Sequence, residues 1–556
     1  MTRFFKAKRM TENGRSRGKK GLALLLAAML AAGLLGGCGA GDSGTGETGA
    51  AGEADISGFD AAGESSGGAP EGSATDGPED AGQATAALTT LAGMPAVEVL
   101  GQQEINRPED NARNYYEIFV YSFYDSDGDG HGDLGGVTQK LDYIREMGFN
   151  GIWLMPICPS PTYHKYDVTD YMAIDELYGT EEDFAQLMKE AHARDIRVII
   201  DMVINHTSSK HPWFTQAKDY LRSLDPGEEP DPEDCPYVGY YHFSAEQADG
   251  TWYRVAGTDW FYEGSFWSEM PDLNLENEAL RAELEQVADY WLGLGVDGFR
   301  MDAALHFDEK DTALNTETLN WLYTYCLAQN PDFYMVSEVW ASEDTIAQYY
   351  ASGTPSMFNF DLAQAEGKLL RAARGRYSAR TLAEALVKYE QDFVAQNPDY
   401  IDAPFLTNHD MGRVSNALNN KADAIKRAGG VLSLMRGSSF VYYGEEIGMP
   451  SKGTEDENKR LPMLWSSEGT EGENGMPRRP EGAAYGVTSA FEGVQEQLTD
   501  PESILNYYRR ALRLRNENPE IARGRTAITE SLCSKTLLAI SRKTEEAGIL
   551  ILMNLG

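Results

Sequence analysis

The sequence predicts an α/β chain built on a (β/α)8 TIM barrel, with an inserted domain after the third strand and an all-β segment at the carboxyl end. Three observations predict it. Short apolar runs rich in β-branched and aromatic residues recur from Asn114 onward, as buried parallel strands do. Amphipathic helical stretches separate them, and strand–helix alternation points to a parallel sheet. The spacing is irregular, which excludes a solenoid of fixed repeat.

The strand candidates are Tyr115–Phe123, Phe149–Ile157, Arg197–Ile204, Val296–Ala304, Phe333–Trp340, Met357–Leu362, Ile401–Thr407 and Ser439–Tyr443. The helical patterns between them include Thr138–Met147, Glu181–Arg194, Leu280–Leu294, Thr316–Gln329, Ala379–Val394 and Ala422–Met435, with a last helix near Pro501–Arg515. The barrel is expected in two parts, 101–205 and 276–519. Residues 206–275 are too many for a βα turn and are read as a small inserted domain. Residues 520–556 hold three strand patterns, Arg525–Thr529, Leu537–Arg542 and Gly548–Met553, and are read as the start of a β-rich domain. So few strands would leave edges exposed, so the sequence is expected to stop partway through that domain.

The amino end carries targeting information. Eight Lys and Arg residues within positions 1–20 precede an apolar run from Leu22 to Leu35, which ends in Leu35-Gly36-Gly37-Cys38. This is the pattern of a secretory signal, here 1–37. Its last residues resemble the bacterial lipobox, which implies cleavage before Cys38 and lipidation of that residue. Residues 38–100 are Gly, Ala, Ser and Thr with scattered acids and no Lys or Arg. Such a segment buries too little apolar surface to fold and is expected to be a tether. The location implied is the extracellular face of a bacterial membrane.

The chain has 556 residues and a formal net charge of -39, which argues against nucleic acid as a partner. Its five cysteines, Cys38, Cys158, Cys235, Cys326 and Cys533, show no metal-site or disulfide spacing. A monomer is expected.

Acids recur where barrel strands end, the rim on which such folds carry chemistry. The fourth strand ends in Arg300-Met301-Asp302, the fifth in Ser337-Glu338-Val339-Trp340, and the seventh leads into Asn408-His409-Asp410. Each buried carboxylate is costly without partners, so three on one rim need a common purpose. The surrounding motifs resemble those of glycoside hydrolase family 13, the α-amylase family. They are Asp201-Met-Val-Ile-Asn205-His206, Gly298-Phe-Arg300-Met-Asp302-Ala-Ala-Leu-His306, Glu338-Val-Trp340, Phe405-Leu-Thr-Asn-His409-Asp410, Gly148–Pro156 and Met270–Asn274. They occur in family order. Met270–Asn274 resembles the group intermediate between oligo-1,6-glucosidases and neopullulanases.

The resemblance implies an α-glucan substrate, starch or maltodextrin, and a role for each residue. Asp302 would be the nucleophile and Glu338 the acid/base, roughly 5–5.5 Å apart as retention requires. Asp410 would grip sugar hydroxyls. Arg300 should keep Asp302 ionised, and nearby carboxylates with burial should keep Glu338 protonated. His206 and His409 would donate hydrogen bonds at the cleavage subsite, Tyr166 would stack beneath the sugar, and His306 and Trp340 would line the substrate path. Lys165 replaces the usual Gly before Tyr166. Tyr163 replaces an acid that tends to close the pocket of exo-acting relatives, which favours internal cleavage. Leu305 stands where many α-amylases have Lys.

Asp125-Ser-Asp127-Gly-Asp129-Gly-His131-Gly-Asp133 spaces oxygen donors in a Gly-rich loop suited to Ca²⁺. The expected ligands are the side chains of Asp125, Asp127, Asp129 and Asp133 and the carbonyl of His131. The rival readings are an exo-acting α-glucosidase or oligo-1,6-glucosidase, a neopullulanase or cyclomaltodextrinase, and a non-catalytic glycan-binding protein on the same barrel.

Overall fold

The computed structural model describes residues 111–556 apart from 248–249 and 489. The signal segment 1–37, the tether 38–100 with Cys38, and residues 101–110 lie outside the described residues. Among the described residues no helix is long and apolar enough to cross a membrane.

In chain order the first strands are β1 (Asn114–Ile118), β2 (Gly151–Leu154) and β3 (Arg197–Met202). The excursion after β3 contains helix Pro212–Ser223 and strands β4 (Phe243–Ser244), β5 (Trp252–Arg254) and β6 (Phe261–Glu263), paired antiparallel as β4-β6-β5. It returns beside its own start, where His206 bridges Asp272. Then come β7 (Gly298–Met301), β8 (Tyr334–Ser337), β9 (Ser356–Met357) and β10 (Ser439–Tyr442). The parallel sheet runs β10-β1-β2-β3-β7-β8-β9.

Seven strands rather than eight form regular ladders. The expected strand Ile401–Thr407 joins only through the parallel bridges Phe358↔Ala403 and Phe405↔Phe440. Pro404 has no N–H to donate, which breaks a ladder at its middle. The carbonyls still serve: Asn359 N donates to Ala403 O at 3.0 Å and Phe440 N to Pro404 O at 3.0 Å. The sheet thereby curls into a closed (β/α)8 barrel.

Strands are shorter than their apolar runs. The run Tyr115–Phe123 is strand only to Ile118, and Val120–Ser122 is a 3-10 turn, entirely buried. Apolar sequence continues past each strand because the rim loops bury one another. Aromatic side chains fill the barrel: Tyr115 stacks on Phe440 at 4.8 Å between centroids, and Phe358 lies 4.8 Å from Phe440 and 5.4 Å from Trp153.

The outer helices include Glu181–His192, Glu278–Gly293, Thr312–Gln329, Ala379–Gln396, Ala422–Ser433 and Ile504–Glu517. Thr180 caps the first in a reciprocal capping box with Asp183. The expected helix Thr138–Met147 is two helices, Leu134–Gln139 and Leu141–Met147, because Asp133 caps an earlier start by accepting from Gly136 N. At the carboxyl end β11 (Arg525–Ile528), β12 (Leu537–Lys543) and β13 (Gly548–Asn554) form an antiparallel sheet with β12 central. Glu390 on helix Ala379–Gln396 ties it to the barrel by accepting from Thr526 N at 2.8 Å.

Candidate active site

Strand register places the charged groups. Arg300 and Asp302 are two residues apart, so the period of two puts both on one face. Asp201 on β3 lies directly across the ladder from Arg300. One step past the strands, Asp302 N donates to Met202 O at 3.2 Å and Glu338 N to Met301 O at 2.9 Å. Three acids from neighbouring strands therefore converge on one guanidinium. Arg300 Nη1 donates to Asp201 Oδ1 and to Asp302 Oδ1, both at 2.5 Å, while Nη2 lies 3.0 Å from Glu338 Oε2.

Ala303 adds a second donor. Its φ of 50° lies in the left-handed region, a strained state for alanine, and its N–H donates to Glu338 Oε2 at 2.9 Å. One oxygen of each acid is thus held. The other, Asp302 Oδ2 and Glu338 Oε1, is buried without a hydrogen-bond partner. Native proteins rarely leave such atoms unpaired unless a ligand takes them.

Burial raises the Glu338 pKa to about 7; Arg300 opposes the shift, and Asp302 and Asp410 add to it. Burial also raises Asp302 to about 7, with Arg300 again opposing and Asp201 reinforcing. Arg300 therefore does not hold Asp302 low by itself. The shorter Arg300 contact is the one to Asp302, so the ionised form is favoured there and the proton is left to Glu338.

Asp410 is held by a separate set of partners. Asp410 Oδ1 accepts from Arg460 Nη2 at 2.9 Å, and its Oδ2 lies 3.2 Å from His409 Nε2. Arg460 Nη1 also donates to the Tyr163 hydroxyl at 3.2 Å, and Lys459 Nζ donates to the Asp410 carbonyl at 3.0 Å. Tyr166 is buried with its ring parallel to His409, 5.5 Å between centroids, and its hydroxyl lies 2.8 Å from His409 Nε2.

The chain that carries these acids is similar to known proteins along most of its length. A family model described as the alpha amylase catalytic domain covers residues 117–524. The chain belongs to the α-amylase family. It is a glycoside hydrolase of the amylase type. Alpha-amylase 3 of Dictyoglomus thermophilum is 37% identical over 466 residues, 81% of this chain and 86% of that protein. The solved structure of Eubacterium rectale Amy13B superimposes with a TM-score of 0.79 at 44% identity, over 81% of this chain and 88% of that one. Glucan 1,6-alpha-glucosidase of Streptococcus pneumoniae is 29% identical, over 79% of this chain and 90% of that protein.

The other expected residues of this amylase-family site have protein partners of their own. His206 is buried with Nε2 3.1 Å from the Tyr166 carbonyl and Nδ1 3.2 Å from the Asn205 amide, so both ring nitrogens already meet protein atoms. His306 Nδ1 lies 3.1 Å from Glu309 Oε1. Trp340 stacks on Phe360 at 4.8 Å. Phe266 of the insertion packs against both His206 and His306, at 5.3 and 5.2 Å. Lys165, in place of the family's Gly, takes a φ of 65° and is anchored by its 2.6 Å pair with buried Asp175.

Sequence reasoning missed Asp201, Glu117, Lys459, Arg460 and Phe266. Glu117 had a readable signal, an acid within an apolar strand. Asp201 stood inside a quoted motif without a role. Lys459 and Arg460 come from the irregular stretch after β10, where no pattern marks them.

The Gly-rich loop after β1 brings carboxylate oxygens of Asp125, Asp127 and Asp133 within 4.8 Å of one another. Asp129 lies outside this group and instead accepts from His131 N at 2.7 Å. Glycine is needed in the first turn of the adjoining helix Leu134–Gln139: a Cβ on Gly136 would stand 2.0 Å from the Tyr124 carbonyl. The loop docks on the stretch after β10 through Asp125 N to Gly475 O at 3.0 Å and Arg478 N to Gly130 O at 2.8 Å.

Proposed function

We propose that the chain is an α-amylase that cleaves internal α-1,4-glucosidic bonds of starch and maltodextrins with retention of configuration. The observation that carries this reading is the pair of buried, unpartnered oxygens, Asp302 Oδ2 and Glu338 Oε1, on acids gripped by the two arms of Arg300. Asp302 Oδ2 attacks the anomeric carbon while Glu338 gives its proton to the leaving oxygen. A covalent glycosyl-enzyme forms; Glu338 then takes a proton from water, which displaces Asp302. Asp410, oriented by Arg460, binds sugar hydroxyls, and the Tyr166 ring lies under the sugar.

Internal cleavage is supported by Tyr163, which pairs with Arg460 where exo-acting relatives tend to carry an acid. The likeness to alpha-amylase 3 agrees with this; the likeness to a glucan 1,6-alpha-glucosidase keeps the exo-acting rival in view. Chromatography of products from amylose and from an end-blocked maltooligosaccharide tests it. A ladder of oligosaccharides and cleavage of the blocked substrate are expected; glucose alone from chain ends overturns internal attack.

Three carboxylates from one loop suit an oxygen-seeking cation, so Asp125, Asp127 and Asp133 would hold Ca²⁺. The ion would cross-link the loop, and chelation should lower the melting temperature by several degrees. An unchanged melt counts against the site. Attachment through lipid on Cys38 to the outer face of the membrane follows from the lipobox likeness; mass spectrometry of the mature amino terminus reads it directly, and an unmodified terminus overturns it.

A further inference from the structure

Strand β1 reads Asn-Tyr-Tyr-Glu-Ile, and every residue of it is buried. A glutamate there is costly unless it is hydrogen-bonded. Glu117 Oε1 lies 2.6 Å from His409 Nδ1 and also accepts the His409 backbone N–H at 3.3 Å. The ring and the backbone amide of one residue therefore converge on one oxygen of another strand.

We infer that Glu117 is a positioning residue of the cleavage subsite, which fixes the tautomer of His409 and through it the pose of Tyr166. The inference rests on the function proposed above. Oε1 accepts the His409 backbone N–H, and when it takes the ring as well the proton sits on Nδ1. Burial raises the Glu117 pKa well above the usual carboxylate value, opposed by the His409 N–H and Arg300, and a Glu117 that kept its own proton would instead donate to Nδ1 and give the opposite tautomer. The imidazole is neutral, because burial together with Arg460 and Arg300 lowers its pKa well below the usual value. Nε2 then offers a lone pair, so His409 accepts there rather than donates as the sequence suggests, and it has no proton for Asp410 Oδ2, 3.2 Å away. The Tyr166 hydroxyl, 2.8 Å away, has one proton and two acceptors in reach, His409 Nε2 and, at 3.3 Å, Asp201 Oδ2. The nearer acceptor takes it.

Asp201 is thereby left to Trp153 Nε1 at 2.8 Å and Arg300 Nη1 at 2.5 Å, and keeps its charge for the guanidinium that grips Asp302 and Glu338. With no acceptor at position 117, the His409 proton can move to Nε2. It would then face the Tyr166 oxygen, turn the phenol proton onto Asp201 and weaken Asp201's hold on Arg300. The loss belongs to orientation in the chemical step rather than to sugar binding.

Two measurements on the full chain test this. In ¹⁵N-histidine-labelled protein, with His409 assigned through His409→Gln, the native ring is expected to show a protonated Nδ1 and a bare Nε2. The opposite tautomer overturns the inference, whether or not any variant folds. In kinetics on maltoheptaose, Glu117→Leu is expected to lower kcat by about 10- to 100-fold with KM within about threefold, while shifting the His409 signals to the other tautomer. Glu117→Gln, whose carbonyl can accept both N–H groups, should restore kcat to within about threefold of native. A Gln variant as impaired as Leu overturns the inference, as does a folded Leu variant with native kcat. If the native protein fails to hydrolyse α-glucans, the proposed function falls while the tautomer reading still decides the Glu117 contact.

Discussion

Strand β7 carries an aspartate at each end, and the two are treated in opposite ways. Asp297, just before the strand, has both oxygens occupied: Oδ1 accepts from Arg197 at 2.6 Å, and Oδ2 accepts from Val198 N at 2.7 Å and meets His192 Nε2 at 2.8 Å. Asp302, just after the strand, has Arg300 on Oδ1 and no protein partner on Oδ2. Both are buried. The acid at the amino end of the strand holds the barrel together; the acid at the carboxyl end leaves a buried atom for something outside the protein. Burial alone does not mark a functional carboxylate; Asp302 stands apart because its unspent oxygen is matched by that of Glu338, an acid held by the same Arg300.

The sharpest way to break this contrast is to neutralise each acid in turn. Asp302→Asn should lower turnover of maltoheptaose by about 10⁴-fold or more with little change in melting temperature, since the amide oxygen still accepts from Arg300 and Asp201 and Glu338 still pair the guanidinium. Wild-type turnover would end the mechanism. Glu338→Gln should cost about 10³-fold, within the range for a general acid. Its carboxyl, raised to about 7 by burial, must be protonated to act, so kcat/KM should fall as pH rises through about 7. That alkaline limb should be missing from the residual activity of the Gln variant; a limb that persists belongs to another group.

Asp297→Ala should do the reverse. It should destabilise by about 2 kcal/mol, at the low side for a broken buried pair because Arg197 is 35% exposed, and leave kcat of the folded enzyme unchanged. Urea unfolding beside steady-state kinetics separates the two effects, and a kcat loss would erase the division between the ends. The smallest effect concerns Glu445, whose Oε2 is also unpartnered but whose other oxygen accepts from Tyr508 on helix Ile504–Glu517 at 3.1 Å. Burial raises its pKa from 4.5 to about 8. The native state keeps a proton that the unfolded chain releases near 4.5, so this group's stabilising contribution declines as pH rises from about 4.5 to about 8. Glu445→Gln should melt with the native protein at pH 5 and about 2 °C above it at pH 8; a gap that does not grow with pH refutes the assignment.

How much of this was legible beforehand follows from what leaves a periodic trace. Strand positions and outer helices were readable because burial repeats along them, and Asp302, Glu338 and Asp410 because each follows an apolar run. Strand ends were overrun because buried rim turns such as Val120–Ser122 look the same as strand. The seventh strand looked regular because an apolar run does not register that Pro404 lacks a donor. Arg460 was invisible because its partners, Asp410 and Tyr163, are 50 and 297 residues away in sequence. Asp129 was included in the metal loop on spacing alone, and spacing does not foresee that its carboxylate turns back to its neighbour His131.

The broken ladder at Pro404 has a thermal consequence. The barrel is sewn by continuous hydrogen bonding from β10 round to β9 and only tacked between β9, Ala403, Phe405 and β10. Thr407-Asn408-His409-Asp410 hang directly from that seam, whereas Asp302 and Glu338 hang from full ladders. On warming, amide protons along the seam are expected to exchange before those of the full ladders, and Asp410 to loosen before Asp302 and Glu338; hydrogen exchange followed by mass spectrometry checks it, and a seam as protected as β3–β7 refutes it. The clasp of Lys459 and Arg460, from the stretch after β10, on Asp410 opposes that loosening.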